Sequence, residues 1–491
     1  MKKFFAFLTF ICLTAFVYAQ SIEDRLIGRL KEYVNVYTQS EENMDTVPSS
    51  QCQFGLALLL EDELKSLGAK DVKVDERSYV FATIKGNVEN APILFLSAHL
   101  DTSPDLDLRG KVPELIVHDY NGGDLVINEE KNIVLTLEKN EFLADAAGGK
   151  VITSDGTKGF GGDDKAGMSI IMTLVETLAQ NPSIPHGDIR IIFTPDEEIG
   201  NSIEYLTKKN IAADFGLVLD SHGFGRIVVE NFNATNFTLT VKTPPAGHSG
   251  YSRNIPGLRV ATKFAAQLPD YLAAFNSEGK EGYLDFYGLD KNSEGEYMVS
   301  GRLRSFNIPE LTRYKNKLRR KAKRIAWRYG MEYIEINNGE IANGKEISSP
   351  AIVLKLNDSY YNSSKVLINY PTNYKLLEQS FKIAGVKMRP EWGRGGSDAA
   401  DISNMGIPTY NMFAGSHNEH SNDEWVSSKQ MLASYNVALN YIQLLAEKDR
   451  EAMIKEGNPN YTPQIPELNM KSFDDAYQQI LERYGNPLSN I

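Results

Sequence analysis

The sequence predicts an α/β fold, a mixed, largely parallel sheet flanked by helices and interrupted by an inserted α+β domain. Three observations predict it. Short apolar runs, such as Ile93–Ser97 and Ile191–Phe193, each enter a polar loop rich in acids. These runs alternate with stretches whose apolar residues recur every three or four positions, the spacing of a helix face. From about Asn233 the pattern changes to alternating apolar and polar residues, as in half-exposed antiparallel strands.

Taken in order, residues 1–19 ("MKKFFAFLTFICLTAFVYA") carry two lysines, an uncharged apolar run and a small-residue end. That pattern predicts a signal peptide cleaved after Ala19, an exported, periplasmic or secreted protein, and no stable membrane anchor after cleavage. Cys52 is then the sole remaining cysteine, so no internal disulfide forms. Helices are expected over residues 24–38 and 52–67. "APILFLSAHLDTSP" reads as a buried strand running into a loop. "GFGGDDKAGMSIIMTLVETLAQ" reads as a Gly-rich turn opening a long apolar helix. "DIRIIFTPDEEIG" and "FGLVLDSHG" are two more buried strands with acidic ends. Residues 20–233 and 351–448 are therefore assigned to the α/β domain and 234–350 to the insert. A C-terminal extension, 449–491, carries one expected helix, Phe473–Tyr484.

The chain has 491 residues and a formal net charge of -12, which argues against nucleic acid as a partner. The one strongly basic stretch, 313–328, has apolar residues at helical spacing and reads as the solvated face of an amphipathic helix.

Ligands of such sheets sit beyond the carboxyl ends of the strands. His99, Asp163, Glu198 and Asp220 all fall in loops of that kind. Only seven histidines are present, and "SAHLDTSPD" and "GSHNEHSNDEW" place three of them in tight polar contexts. Mixed histidine and carboxylate ligands suit zinc or a similar transition metal, whereas all-oxygen sets suit calcium or magnesium. A single His-x-Asp or Asp-Glu-Glu is commonplace; their joint placement at successive strand ends is the signal.

The stretches "SAHLDTSPD", "GGDDKAG", "PHGDIRIIFTPDEEIG", "VENFNA", "DSYYN", "GRGGSDAA" and His420-x-x-x-Glu424 resemble the peptidase T family of tripeptide aminopeptidases, within the co-catalytic zinc metallopeptidases. The resemblance spans roughly Ile22 to Glu447. It implies a zinc-dependent aminopeptidase acting on short peptides, with two Zn2+ ions per subunit. One zinc goes to His99 and Asp220, the other to Glu198 and His420, and Asp163 bridges both. Asp101 orients His99. Glu197 holds the attacking water and serves as general base. The Asp163–Asp164 peptide bond is expected to be cis. Asp196 is left over and reads as a solvated or capping residue.

The insert becomes a lid, with room for a homodimer through it. His248 in "PPAGHSG" is expected to stabilise the oxyanion. Arg304 in "GRLRSF" and Arg394 in "GRGGSDAA" are expected to grip the substrate's carboxylate end, Arg394 the more strongly favoured. A surface salt bridge is the plainer role for Arg304, and loop packing for Arg394. Family members are typically cytoplasmic, and His222 stands where they usually have a small residue. A dipeptidase, carboxypeptidase or deacylase on the same scaffold stays open, as does a metal-dependent binding protein without turnover.

Overall fold

The structure is a computed structural model that describes residues 20–106, 108, 112–244, 251, 254–341 and 350–457. Residues 1–19, His248 and the expected helix 473–484 lie outside the described residues. Among those described, no helix is long and apolar enough to cross a membrane.

Eight strands form the main sheet, in the spatial order Lys70–Val74, Val80–Ile84, Ile189–Thr194, Leu94–His99, Phe215–Ser221, Thr409–Phe413, Arg226–Asn231, Arg389–Gly393. The central four run parallel to one another. Their carboxyl ends therefore open on one edge, which is what gathers His99, the acidic turn after Thr194, Asp220 and the loop after Phe413. These strands are buried on both faces, hence their continuous apolar runs. Helices Ile22–Val34, Gly162–Gln180, Pro371–Ile383 and Ser428–Ala446 contribute to one core that includes Leu30, Ile170, Leu377 and Tyr441. Asp398–Asn404 supplies Ala399 and Ile402 to another, smaller core with Phe95 and Ile192.

The first helix ends at Val34 rather than at residue 38. Gln39 forms a parallel bridge with Thr102, and its amide donates to the carbonyl of Ser103 at 3.0 Å. The chain thus leaves the helix early to brace the loop that follows His99.

The insert is a six-stranded sheet, ordered Tyr283–Lys291, Tyr297–Ser305, Asn233–Lys242, Ala351–Tyr360, Glu332–Asn337, Glu340–Ile341. It extends ten residues past the expected boundary at 350, through the strand Ala351–Tyr360. That strand pairs along the length of Asn233–Lys242, and Ile352, Leu354 and Leu356 point into the insert's core. The basic helix, Ile308–Tyr329, packs on the same core through Leu311, Tyr314, Leu318 and Ile325. Its Lys315 and Arg319 are paired with Asp358 and Glu335. The two crossings between sheet and insert meet in a ladder of asparagines. Asn231 accepts from the N–H of Ser363 at 2.8 Å, and Asn233 accepts from that of Asn362 at 3.1 Å.

Leu318 is fully buried under the insert's sheet. Leu318→Ala is expected to cost roughly 2–5 kcal/mol, read as a lowered midpoint in chemical denaturation.

Candidate active site

His99 closes the strand Leu94–His99 and is buried. Its Nδ1 lies 3.1 Å from the Asp101 carbonyl and 3.3 Å from Asp101 Oδ1. Its Nε2 lies 3.1 Å from Asp163 Oδ1 and 3.5 Å from Asp220 Oδ1. On the other side, His420 Nε2 lies 2.7 Å from Glu198 Oε2 and 3.6 Å from Asp163 Oδ2. One oxygen of Asp163 therefore faces His99 and Asp220, and the other faces His420 and Glu198. The Asp163–Asp164 peptide bond is cis. Asp101 also braces the acidic turn, because its two carboxylate oxygens accept the N–H groups of Glu197 at 3.0 Å and Glu198 at 3.2 Å.

The donor set suits a pair of divalent cations. Glu198 Oε1 and Asp164 Oδ2 are buried with no hydrogen-bond partner. Burial, reinforced by neighbouring carboxylates, pushes Asp220 up to about 7 and holds Glu197 well above the usual carboxylate range. Donor atoms of His99, Asp163 and Glu198, and of His99, Asp164 and Asp220, lie within 4.8 Å of one another. Crowded, desolvated acids with two imidazole nitrogens fit cations of the zinc class. Glu197 is half-buried, and its carboxylate makes no hydrogen bond among the described residues.

Asp196 is neither solvated nor a simple cap. It is fully buried in left-handed backbone, φ 55°. Its carboxylate accepts from the Ser49 N–H, the Ser49 hydroxyl and the Gln53 amide, each at 2.6 Å. The left-handed turn sends three consecutive acids in three directions. Asp196 goes to the N-terminal segment, Glu197 toward Asp220 and His99, and Glu198 to His420.

Glu424 was legible only as part of a motif, and its work is structural. Buried beneath the Gly-rich loop, it accepts the N–H groups of Phe160 at 2.7 Å, Gly161 at 2.9 Å and Asp163 at 3.2 Å. A Cβ at Gly162 would come within 2.7 Å of Val426 Cγ2 and 2.8 Å of the Phe160 ring, so this close-packed position takes glycine. His417 stands apart from this cluster. It stacks on Trp425 and Phe142, bonds Gln430 Oε1 at 2.6 Å, and is held down to about 4 by burial. His222 pairs with Glu419, and the two help wall a cavity of about 310 Å³ with Phe142, His417 and Trp425.

The sequence pattern of peptidase family M20/M25/M40 matches residues 153–447. Peptidase T of Geobacillus kaustophilus is 33% identical over 433 residues, 87% of this chain and 100% of the relative. Peptidase T of Halothermothrix orenii is 35% identical over 86% of this chain and 100% of its own length. The chain belongs to the M20 peptidase family. Its fold is that of an aminopeptidase PepT from Bacillus cereus, with a TM-score of 0.61 at 19% identity over 86% of this chain and 99% of that one. A dinuclear metal binding M20 peptidase from Bacillus subtilis matches with a TM-score of 0.56 at 14% identity, over 87% and 99%. This M20 peptidase is a hydrolase of peptide bonds, from a family that binds two metals.

These relatives correct one expectation. Residues 1–19 predict export, but the peptidases T that the chain matches over their whole length are cytoplasmic enzymes. An apolar run behind two lysines reports affinity for an apolar phase. It is not by itself an address.

The two arginines have unlike surroundings. Arg304 is buried rather than at the surface. It donates to the carbonyls of Thr235 and Leu303 and to Asn236 Oδ1, and lies over the Tyr360 ring. No carboxylate pairs with it among the described residues. Arg394 donates to the carbonyls of Gly279 at 2.7 Å and Ser277 at 3.3 Å, and stacks on Phe232 and Tyr283. It thus clasps the insert.

Two outcomes are expected. Glu424→Ala strands three N–H groups beside Asp163, and metal affinity should fall about 10–100-fold in a zinc titration. His417 is neutral when folded and charges when unfolded, so its stabilisation is present above about pH 6.5 and is lost as pH falls toward 4. Relative to wild type, His417→Gln should flatten the stability-versus-pH slope in that window, worth up to roughly 3 kcal/mol.

Proposed function

We propose that this M20 peptidase is a zinc-dependent aminopeptidase that releases the N-terminal residue of tripeptides. The observation that carries the reading is Asp163, whose two oxygens face two separate His and carboxylate pairs with Glu197 beside them. It is supported by relatives named Peptidase T and by a solved Staphylococcus aureus tripeptidase of the same fold, with a TM-score of 0.60 at 20% identity over 87% of this chain and 99% of that one.

His99 and Asp220 would hold one zinc, Glu198 and His420 the other, and Asp163 both. When bound, the ions supply Lewis acidity toward the scissile carbonyl. Asp101 fixes the His99 ring through Nδ1 and sets the Glu197 backbone, so the base and one ligand share a support. The Glu197 carboxylate takes a proton from water as the water oxygen bonds to the carbonyl carbon. The C–N bond breaks, and Glu197 returns the proton to the leaving amine. His248 is the proposed oxyanion partner.

Arg304 and Arg394 are proposed to read the C-terminal carboxylate. For Arg304 the support is a buried guanidinium that has only neutral acceptors. For Arg394 the donors are shared with the Ser277 and Gly279 carbonyls, so binding a carboxylate there competes with the clasp on the insert.

A chelator should abolish hydrolysis, and added zinc should restore it; full activity in metal-free protein would sink the reading. Glu197→Ala should keep both metals and lose roughly 10²–10⁴-fold in kcat, whereas Glu198→Ala should lose metal. A panel of di- and tripeptides with free or blocked ends separates this activity from a dipeptidase, carboxypeptidase or deacylase. Arg304→Ala should raise KM for a tripeptide and erase the preference for a free over an amidated C-terminus.

A further inference from the structure

The two ligand histidines are held in different ways. His99 is buried, and its second nitrogen is fixed by Asp101. His420 is partly exposed, and among the described residues its Nδ1 has only Asp105 Oδ2 nearby, at 3.9 Å on a side chain open to solvent. A ligand histidine normally has its other nitrogen anchored. The aim of the His420 ring therefore depends on its backbone.

That backbone is unusual. Both Asn418 and His420 are left-handed, at φ 55° and 60°, an uncommon conformation that Asn and His tolerate better than most side chains and that local hydrogen bonds stabilise. Asn418 Nδ2 donates to Asn140 Oδ1 at 2.8 Å and to the Asp423 carbonyl at 3.2 Å. The Ser421 hydroxyl donates to the Asn418 carbonyl and to Asp423 Oδ1. Between the two left-handed residues, Glu419 reaches out of the loop to His222 Nδ1. His222 lies two residues beyond Asp220, at the end of a central strand. The pair thus ties the loop carrying one zinc's histidine to the strand carrying the other zinc's aspartate.

We infer that His222 is a positioning residue: through Glu419 it holds the left-handed 418–420 turn, aims His420, and so sets the affinity of the Glu198–His420 metal site. The inference rests on the two-metal reading above. Its partner is a divalent cation of the zinc class, and the predicted effect is confined to one of two binding events.

The test is a zinc titration of purified metal-free protein against a chromophoric chelator. Wild type should bind two equivalents, and His420→Ala should identify the event that belongs to this site. In His222→Ala that event should weaken about 10–100-fold, with the other unchanged. Glu419→Ala should reproduce the effect, and the double variant should be no weaker than either single one. His222→Gln, which keeps a donor for Glu419, should recover most of the affinity. Unchanged constants in His222→Ala overturn the inference. So does an equal loss at both sites with a lower melting temperature of the metal-free protein, which marks a general structural role. Wild type binding fewer than two equivalents instead overturns the two-metal reading, and the inference with it.

Discussion

Carboxylates taken out of water repel one another and resist ionisation, and this chain packs Asp101, Asp163, Asp164, Asp196, Glu198, Asp220 and Glu424 around one edge of its sheet. Each acid there is placed by the need for a positive or donating partner. Asp101 takes two backbone N–H groups, Glu424 takes three, and Asp196 takes a backbone N–H, a hydroxyl and an amide. The carboxylates facing His99 and His420 are less fully satisfied: Glu198 Oε1 and Asp164 Oδ2 have no partner, and Asp220 Oδ2 has only a long bond from Asn411 Nδ2 at 3.4 Å. The supporting acids are satisfied by the protein, and the central ones form a donor set that fits divalent cations.

The second domain is bound to this edge by many polar contacts and by one small aromatic cluster of Phe232, Tyr283 and Phe306 at the joint. Asn231, Asn233 and Asn362 knit the two crossings, Lys280 of the insert pairs with Glu230, and Arg394 clasps Ser277 and Gly279. Such contacts exchange readily with water or with a ligand's own polar groups, whereas the insert's core of Phe237, Leu239, Leu303 and Leu354 is self-contained. Arg304, on the insert, and Arg394, on the main domain, sit on either side of this joint.

His99, Glu198 and Asp220 could be singled out because each closes or closely follows a buried apolar strand. Asp163, at the head of a helix, and His420, in a loop, joined them as candidates through the family resemblance, and the structure brings the five side chains together. Asp196 could not be separated from its neighbours: "DEE" carries no trace of the left-handed turn that disperses the three side chains. The role of Glu424 depends on loop N–H groups up to 264 residues away in the chain. Texture misplaced the end of the insert, because Ala351–Tyr360 looks like any buried strand until its partner, Asn233–Lys242, is known. His417 and His420 share one loop, and only packing divides them, one stacked on Trp425 and the other beside Glu198.

The strand order of the main sheet carries a consequence for how the molecule is made. Thr409–Phe413 lies between Phe215–Ser221 and Arg226–Asn231, so a central position of the sheet is filled by a segment that leaves the ribosome long after both of its neighbours. Until it arrives, those neighbours face an open slot with unpaired backbone groups, and the acids of the N-terminal half wait without His420 or Glu424. The insert, wholly contained between those neighbours and the late strand, has all its own contacts in hand by Tyr360. Synthesis thus delivers a finished insert before a finished active site, and the strand that docks late is also the one that leads into the loop of His420.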